Sequence, residues 1–291
     1  MEFQKLTNII RKTMICVTIT SSILLLLSFM FSFDMINGYF KDGILPILFY
    51  VIFIAGILIS LASAFLFDKS KIIKSREQDA NQHKTHLIFA TALAACALVF
   101  NFATNSSYFT ISAVGTCFLA VYIALVGKNK KYSHFKLLVL LLSVAFPLAM
   151  TIDNNAVMHR HSNSVENNLT SIFAISFLIY ILYEGQSLFF GAHSKWHFSS
   201  MLLLFHTGVS ISASYIIAYM TYDVNERLRF YQMILILIVS VFAGYELYLF
   251  SKHAEARTQE EWSEIEEPKE PTQDEPCEPE QHTFEEEKTD E

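Results

Sequence analysis

Charge and glycine are both scarce in this chain. Only 17% of its 291 residues are charged, where a soluble domain carries roughly a quarter. The 9 glycines form no phosphate-cradling loop, and neither an HExxH nor a GxSxG sequence occurs. Cysteine is equally sparing: Cys16, Cys96 and Cys117 fall in separate apolar runs, Cys277 stands alone, and no CxxC pair exists. This pattern excludes a disulfide framework, a zinc ribbon and a thiol redox motif. No metal, cofactor or nucleic-acid partner is therefore expected, and no nucleophile, base and orienter can be assembled into an enzyme.

What the chain has in quantity is apolar length. Hydrophobic residues make up 53% of it, and a bilayer core is crossed by a helix of about 20 such residues. Eight runs reach or approach that length: 14–33, 43–67, 86–104, 109–126, 137–152, 169–190, 198–220 and 230–250. The expected fold is all-α, a polytopic bundle of eight transmembrane helices over residues 1–250. The fifth run is short and contains Pro147, so its helix is expected to start near Tyr132 with Lys136 snorkelling to the headgroups. The first run follows Lys5, Arg11 and Lys12 as a signal peptide would, but it is too long for one. It also ends at Ser32-Phe33-Asp34 without a small-x-small cleavage site, so it is expected to be a retained span.

Orientation follows from the basic residues. With eight spans and the N-terminus inside, the inner segments hold thirteen Lys and Arg, among them Lys69, Lys71, Lys74, Arg76, Lys128, Lys130 and Lys131. The outer loops hold only Lys41, Arg160, Arg227 and Arg229. Such a bias places both termini in the cytoplasm of a multi-pass protein in the cell membrane.

The formal net charge of −7 hides two opposite parts. Residues 251–291 hold 16 acidic and 4 basic residues, a net of −12, which leaves 12 acidic and 17 basic residues before them. Residues 251–267 lack glycine and carry proline only beyond them, which predicts a cytosolic extension of the last helix. Residues 268–291, with Pro268, Pro271, Pro276 and Pro279 among acids, are expected to form a disordered acidic tail able to meet a basic cytosolic protein.

Small residues at four-residue spacing mark where helices approach closely: Gly56, Ser60 and Ala64; Thr116, Ala120 and Ala124; Ala90 and Ala94; Ser240 and Gly244. Ionisable residues mark where a function would show, because in hydrocarbon they face a bundle interior. Glu184 shares a stripe with Ser176, Tyr180, Ser187 and Gly191. His206 shares one with Ser199, Ser210 and Ser214, and Glu246 lies with Gln232, Val239 and Phe242.

These residues support an intramembrane proton or cation site made of Glu184, His206, Glu246, Tyr180 and Ser210, in which Glu184 is the main acid and His206 its partner. The alternative is that both glutamates snorkel and His206 bonds a neighbouring serine. His193 and His197, four apart, resemble a metal pair. His206, however, is nine residues past His197, about 900° of turn, and so lies on the opposite face of the helix. The function requiring least is a non-enzymatic membrane accessory or scaffold. The alternative is a proton- or cation-coupled carrier of small solutes.

Overall fold

A computed structural model describes residues 2–34, 39–67, 72–75, 80–104, 107–126, 133–157, 165–222 and 227–257. These residues are all-α apart from four short strands: α1 Glu2–Ser32, α2 Ile44–Ser63 with a 3-10 turn to Leu66, α3 Ala80–Ala103, α4 Ser107–Leu125, α5 Ser133–Leu142, α6 Ala145–Val157, α7 Val165–Phe190, α8 Lys195–Tyr222 and α9 Arg227–His253. Among the described residues seven stretches are long and apolar enough to cross a membrane, and the shorter α4 lies between the third and the fourth of them. His159, Arg160 and His161 and everything after Arg257, including the acidic tail, lie outside the described residues.

The fifth apolar run is two helices, α5 and α6. A proline ring fits only the first turn of a helix, because further in it meets a carbonyl four residues back. Pro147 therefore sits third in α6, and the helical ladder breaks just before it. The Ser143 carbonyl, which Pro147 cannot bond, accepts from Phe146 N at 3.0 Å, while Ser143 Oγ donates to Leu140 O at 2.6 Å. The expected start near Tyr132 agrees with α5 beginning at Ser133. Lys136, expected to reach outward, is instead 7% exposed.

Helix α8 is the hub. It packs against α1, α2, α7 and α9, while α3, α4, α5 and α6 form a second layer joined through α3–α9, α5–α7 and α6–α7. Of its most apolar stretch 72% is buried, against 22% for that of α3, whose remaining surface suits lipid. The small-residue seams explain how close the hub's neighbours come. A Cβ on Gly56 would overlap the His206 imidazole, one on Gly208 would overlap Ser240 Oγ, and one on Gly244 would press into the Phe205 ring. Each glycine lets a polar or aromatic side chain of the next helix seat against bare backbone.

Gln4 Nε2 donates to Lys252 O at 3.2 Å, so the start of α1 and the end of α9 lie together at what is here termed the proximal end. Two small sheets close the bundle. At the distal end β1 (Phe33–Asp34) pairs with β2 (Tyr39–Phe40). At the proximal end β3 (Ile72–Ser75) pairs antiparallel with β4 (Ala254–Arg257). The helix expected over 251–267 therefore ends at His253. Ala254 is fully buried, and pairing with β3 satisfies the backbone there in place of another helical turn.

Candidate functional site

Both polar stripes turn inward, but toward different neighbours. On α7, Ser176, Tyr180 and Ser187 are buried, and Glu184 keeps 14% of its side chain exposed. Glu184 points at α4 and α8: Tyr122 donates its hydroxyl to Oε1, and His197 Nε2 stands 3.3 Å from Oε2. Lys136 of α5, the His193 ring and the His86–Glu246 pair act on it at longer range. The expected snorkelling position of Lys136 is thus replaced by one facing this carboxylate.

Glu246 on α9 meets α3, where His86 Nε2 lies 2.5 Å from Oε1. His86 is fully buried, on one face of α3 with Ala90, Leu93 and Ala97. Phe242 and Tyr245 set their rings edge-on to it. The two pairs share a ring orientation but not a geometry: His86 Nε2 hydrogen-bonds Glu246, whereas His197 Nε2 only stands beside Glu184, whose other oxygen takes the Tyr122 hydroxyl. His86 Nδ1 faces the Gln82 carbonyl at 2.7 Å, and His197 Nδ1 faces the Tyr183 carbonyl at 3.4 Å. A carbonyl only accepts, so in each ring Nδ1 carries the hydrogen and Nε2 is turned to the carboxyl. The layer therefore holds two carboxyl–imidazole pairs, one hydrogen-bonded and one in looser contact.

His206 is built differently. Nε2–H donates to Phe53 O at 3.1 Å and Nδ1 accepts from Thr18 Oγ1 at 3.0 Å, with the ring lying against Phe53. Both nitrogens of the neutral ring are satisfied, with no carboxylate on either. The structure thus corrects the expected Glu184–His206 partnership. The stripe of Ser199, His206, Ser210 and Ser214 faces α1 and α2: Ser199 donates to Ser60 O and Ser214 to Ser22 O. His197, half a turn away, faces α7. Ser210 Oγ is buried with no hydrogen-bond partner among the described residues, and it touches neither glutamate pair. Tyr180 belongs to the Glu184 layer, where both glutamates act on it.

Of the five residues expected in one site, Glu184, Glu246 and Tyr180 lie in one layer and His206 and Ser210 outside it, while Tyr122, His197, His86 and Lys136 join the layer without having been expected there. A signal for His86 was present, since residues 86, 90, 93 and 97 follow the spacing of a buried helical face. His197 was weighed only as a metal ligand. Among the described residues no three His, Cys, Asp or Glu side chains converge as a metal would require.

A second polar cluster closes the distal end. Arg229 Nη1 of α9 donates to Glu166 Oε2 of α7 at 2.7 Å, and the Tyr219 hydroxyl of α8 donates to Oε1 at 3.0 Å. Arg229 and Glu166 are 11% and 10% exposed.

The turn between α7 and α8 carries His193, whose ring is 4.6 Å from that of His197. Burial, then the neighbouring His197, pushes the His193 pKa down to about 3, so this imidazole is neutral at physiological pH. Compared with protein-family models, curated proteins and solved structures, the chain matches none.

Proposed function

We propose that the chain is a non-enzymatic carrier that crosses the cell membrane eight times. In this reading it takes up and releases protons at the Glu184 layer in step with the movement of a small solute or cation. Counting α4 gives the eighth span, since 19 helical residues rise about 28 Å, close to the bilayer core. The excess of Lys and Arg in alternate loops supports a cytoplasmic proximal end, with both termini inside. One observation carries the functional reading: two largely buried carboxylates share a layer, each with an imidazole Nε2 turned to it, at 2.5 Å for Glu246 and 3.3 Å for Glu184. Apolar side chains would fill the same space at lower cost, because ionisable groups are expensive to place within a membrane.

The test is purified protein in liposomes loaded with a pH-sensitive dye, screened with small cations, amino acids and organic acids across an imposed gradient. Wild-type protein should move protons with at least one of them. Glu184→Gln, which keeps the acceptor for Tyr122 but cannot ionise, should abolish that movement. A Glu184→Gln protein with undiminished pH-dependent flux would remove the basis of the proposal.

A second reading, a membrane accessory or scaffold docking a basic cytosolic protein, is favoured by the net charge of residues 251–291. It predicts that deleting residues 258–291 loses a pull-down partner and leaves flux unchanged.

A further inference from the structure

The proximal sheet reaches the Glu184 layer by two routes. Ile73, in the middle of β3, is 3% exposed and pairs with Ala256 of β4. On its other side it accepts a hydrogen bond from His193 N at 2.8 Å. His193 sits in the short turn that separates Glu184's helix from His197's. That turn is sharp because Gly191 leaves α7 at φ 66°, a left-handed conformation that closes a helix end, with its N–H on Ser187 O at 2.9 Å. The second route is aromatic: the Phe250 ring, three residues before α9 ends, lies 5.5 Å from the His193 ring and 6.1 Å from that of His197. The start of β4 therefore holds the imidazole next to Glu184 both through β3 and through Phe250.

We infer that β3 and β4 form a strap that positions His197 against Glu184, so that pairing or release of residues 254–257 sets how tightly the Glu184 layer holds its proton. The inference rests on Glu184 as the proton-binding group of the proposed carrier. A four-residue, two-stranded ribbon is marginal by itself, so this pairing can be opened without unfolding the helices. The groups facing Glu184 are Tyr122 from α4, Lys136 from α5, His197 from α8, His193 from the turn and, at longer range, His86 and Glu246 from α3 and α9, with Tyr180 on its own helix. Of these, His193 and His197 are the ones the strap holds.

The experiment reads the pH midpoint of the Glu184 carboxyl infrared band, assigned as the band that Glu184→Gln removes, in full-length protein in lipid. One variant replaces residues 254–257 with Gly-Ser-Gly-Ser and so unpairs the strap. Another joins the facing residues Lys74 and Glu255 as Lys74→Cys/Glu255→Cys, in a chain whose four native cysteines are alanine, and is measured oxidised and reduced. If the Gly-Ser chain does not elute as folded protein, Ala254→Lys, which forces a charge under the strap, takes its place. The unpaired chain should shift the midpoint by about one pH unit, a tenfold change in proton affinity, while the oxidised pair keeps the wild-type midpoint. A Glu184 band that titrates at one pH in every variant overturns the strap alone. Absence of any titrating Glu184 band overturns the proton-site reading and the strap with it.

Discussion

Helix α7 carries a carboxylate near each of its ends, and the two are held by opposite means. Glu166 and Glu184 are 18 residues apart, about 27 Å along the helix, close to the thickness of the lipid core. At the distal end Glu166 meets Arg229, whose guanidinium keeps its proton at any accessible pH. At the proximal end Glu184 meets the His197 imidazole 3.3 Å away, a group with no fixed charge. The same residue type on the same helix is thus clamped by a fixed charge at one end and, in the proposed carrier, switchable at the other. The partner decides which, and in both cases the partner comes from a neighbouring helix.

The comparison breaks most visibly at the clamp. Arg229→Met takes the cationic partner from a buried carboxylate, which should cost about 3–5 kcal/mol and lower the thermal midpoint in detergent at all pH values. Adding Glu166→Gln should recover part of that loss. A single mutant as stable as wild type would show that the ion pair closes nothing.

The next largest effect is of pH, and it belongs to the proximal end. His193 has a folded pKa of about 3 against about 6.5 when unfolded, so between these values the unfolded chain binds a proton that the folded chain does not. Stability is complete above pH 6.5 and falls with pH by at most about 1.4 kcal/mol per unit down to pH 3. Thermal midpoints measured from pH 7.5 to 4.5 should fall below 6.5, and His193→Gln should flatten that part of the profile.

Between the two ends lies His206, both of whose ring nitrogens bond to uncharged groups. Gly56→Ala drives a methyl into its ring and should cost about 1–3 kcal/mol, measured as a loss of thermal stability without any change in the pH profile of flux. Smallest is Ser210→Ala. Its hydroxyl is buried and bonds to nothing among the described residues, so stability should stay within about 0.5 kcal/mol of wild type.

The apolar runs, the small-residue seams and the inward turn of both stripes were legible in the sequence, because each is a local consequence of length or helical period; the division of the fifth run at Pro147 was not, since that run was expected as one helix. Pairing was not. Tyr122 lies 62 residues from Glu184 and His86 lies 160 from Glu246, and nothing periodic connects helices that distant. The half-turn between His197 and His206 was readable and sufficed to separate them. A stripe on α8 that faces α1 and α2 cannot also face α7. The switch from helix to strand at Ala254 was hidden for a similar reason, since the segment's composition suits a helix and its strand partner lies near residue 73.

Helix α8 is consequently gripped on both flanks, by Glu184 through His197 and by Thr18 and the Phe53 carbonyl through His206. A rod held that way cannot be rolled on one side alone: any twist that unseats the first imidazole drags the second off its partners. A probe placed beside His206, far from the titrating layer, would therefore register motion that begins at Glu184.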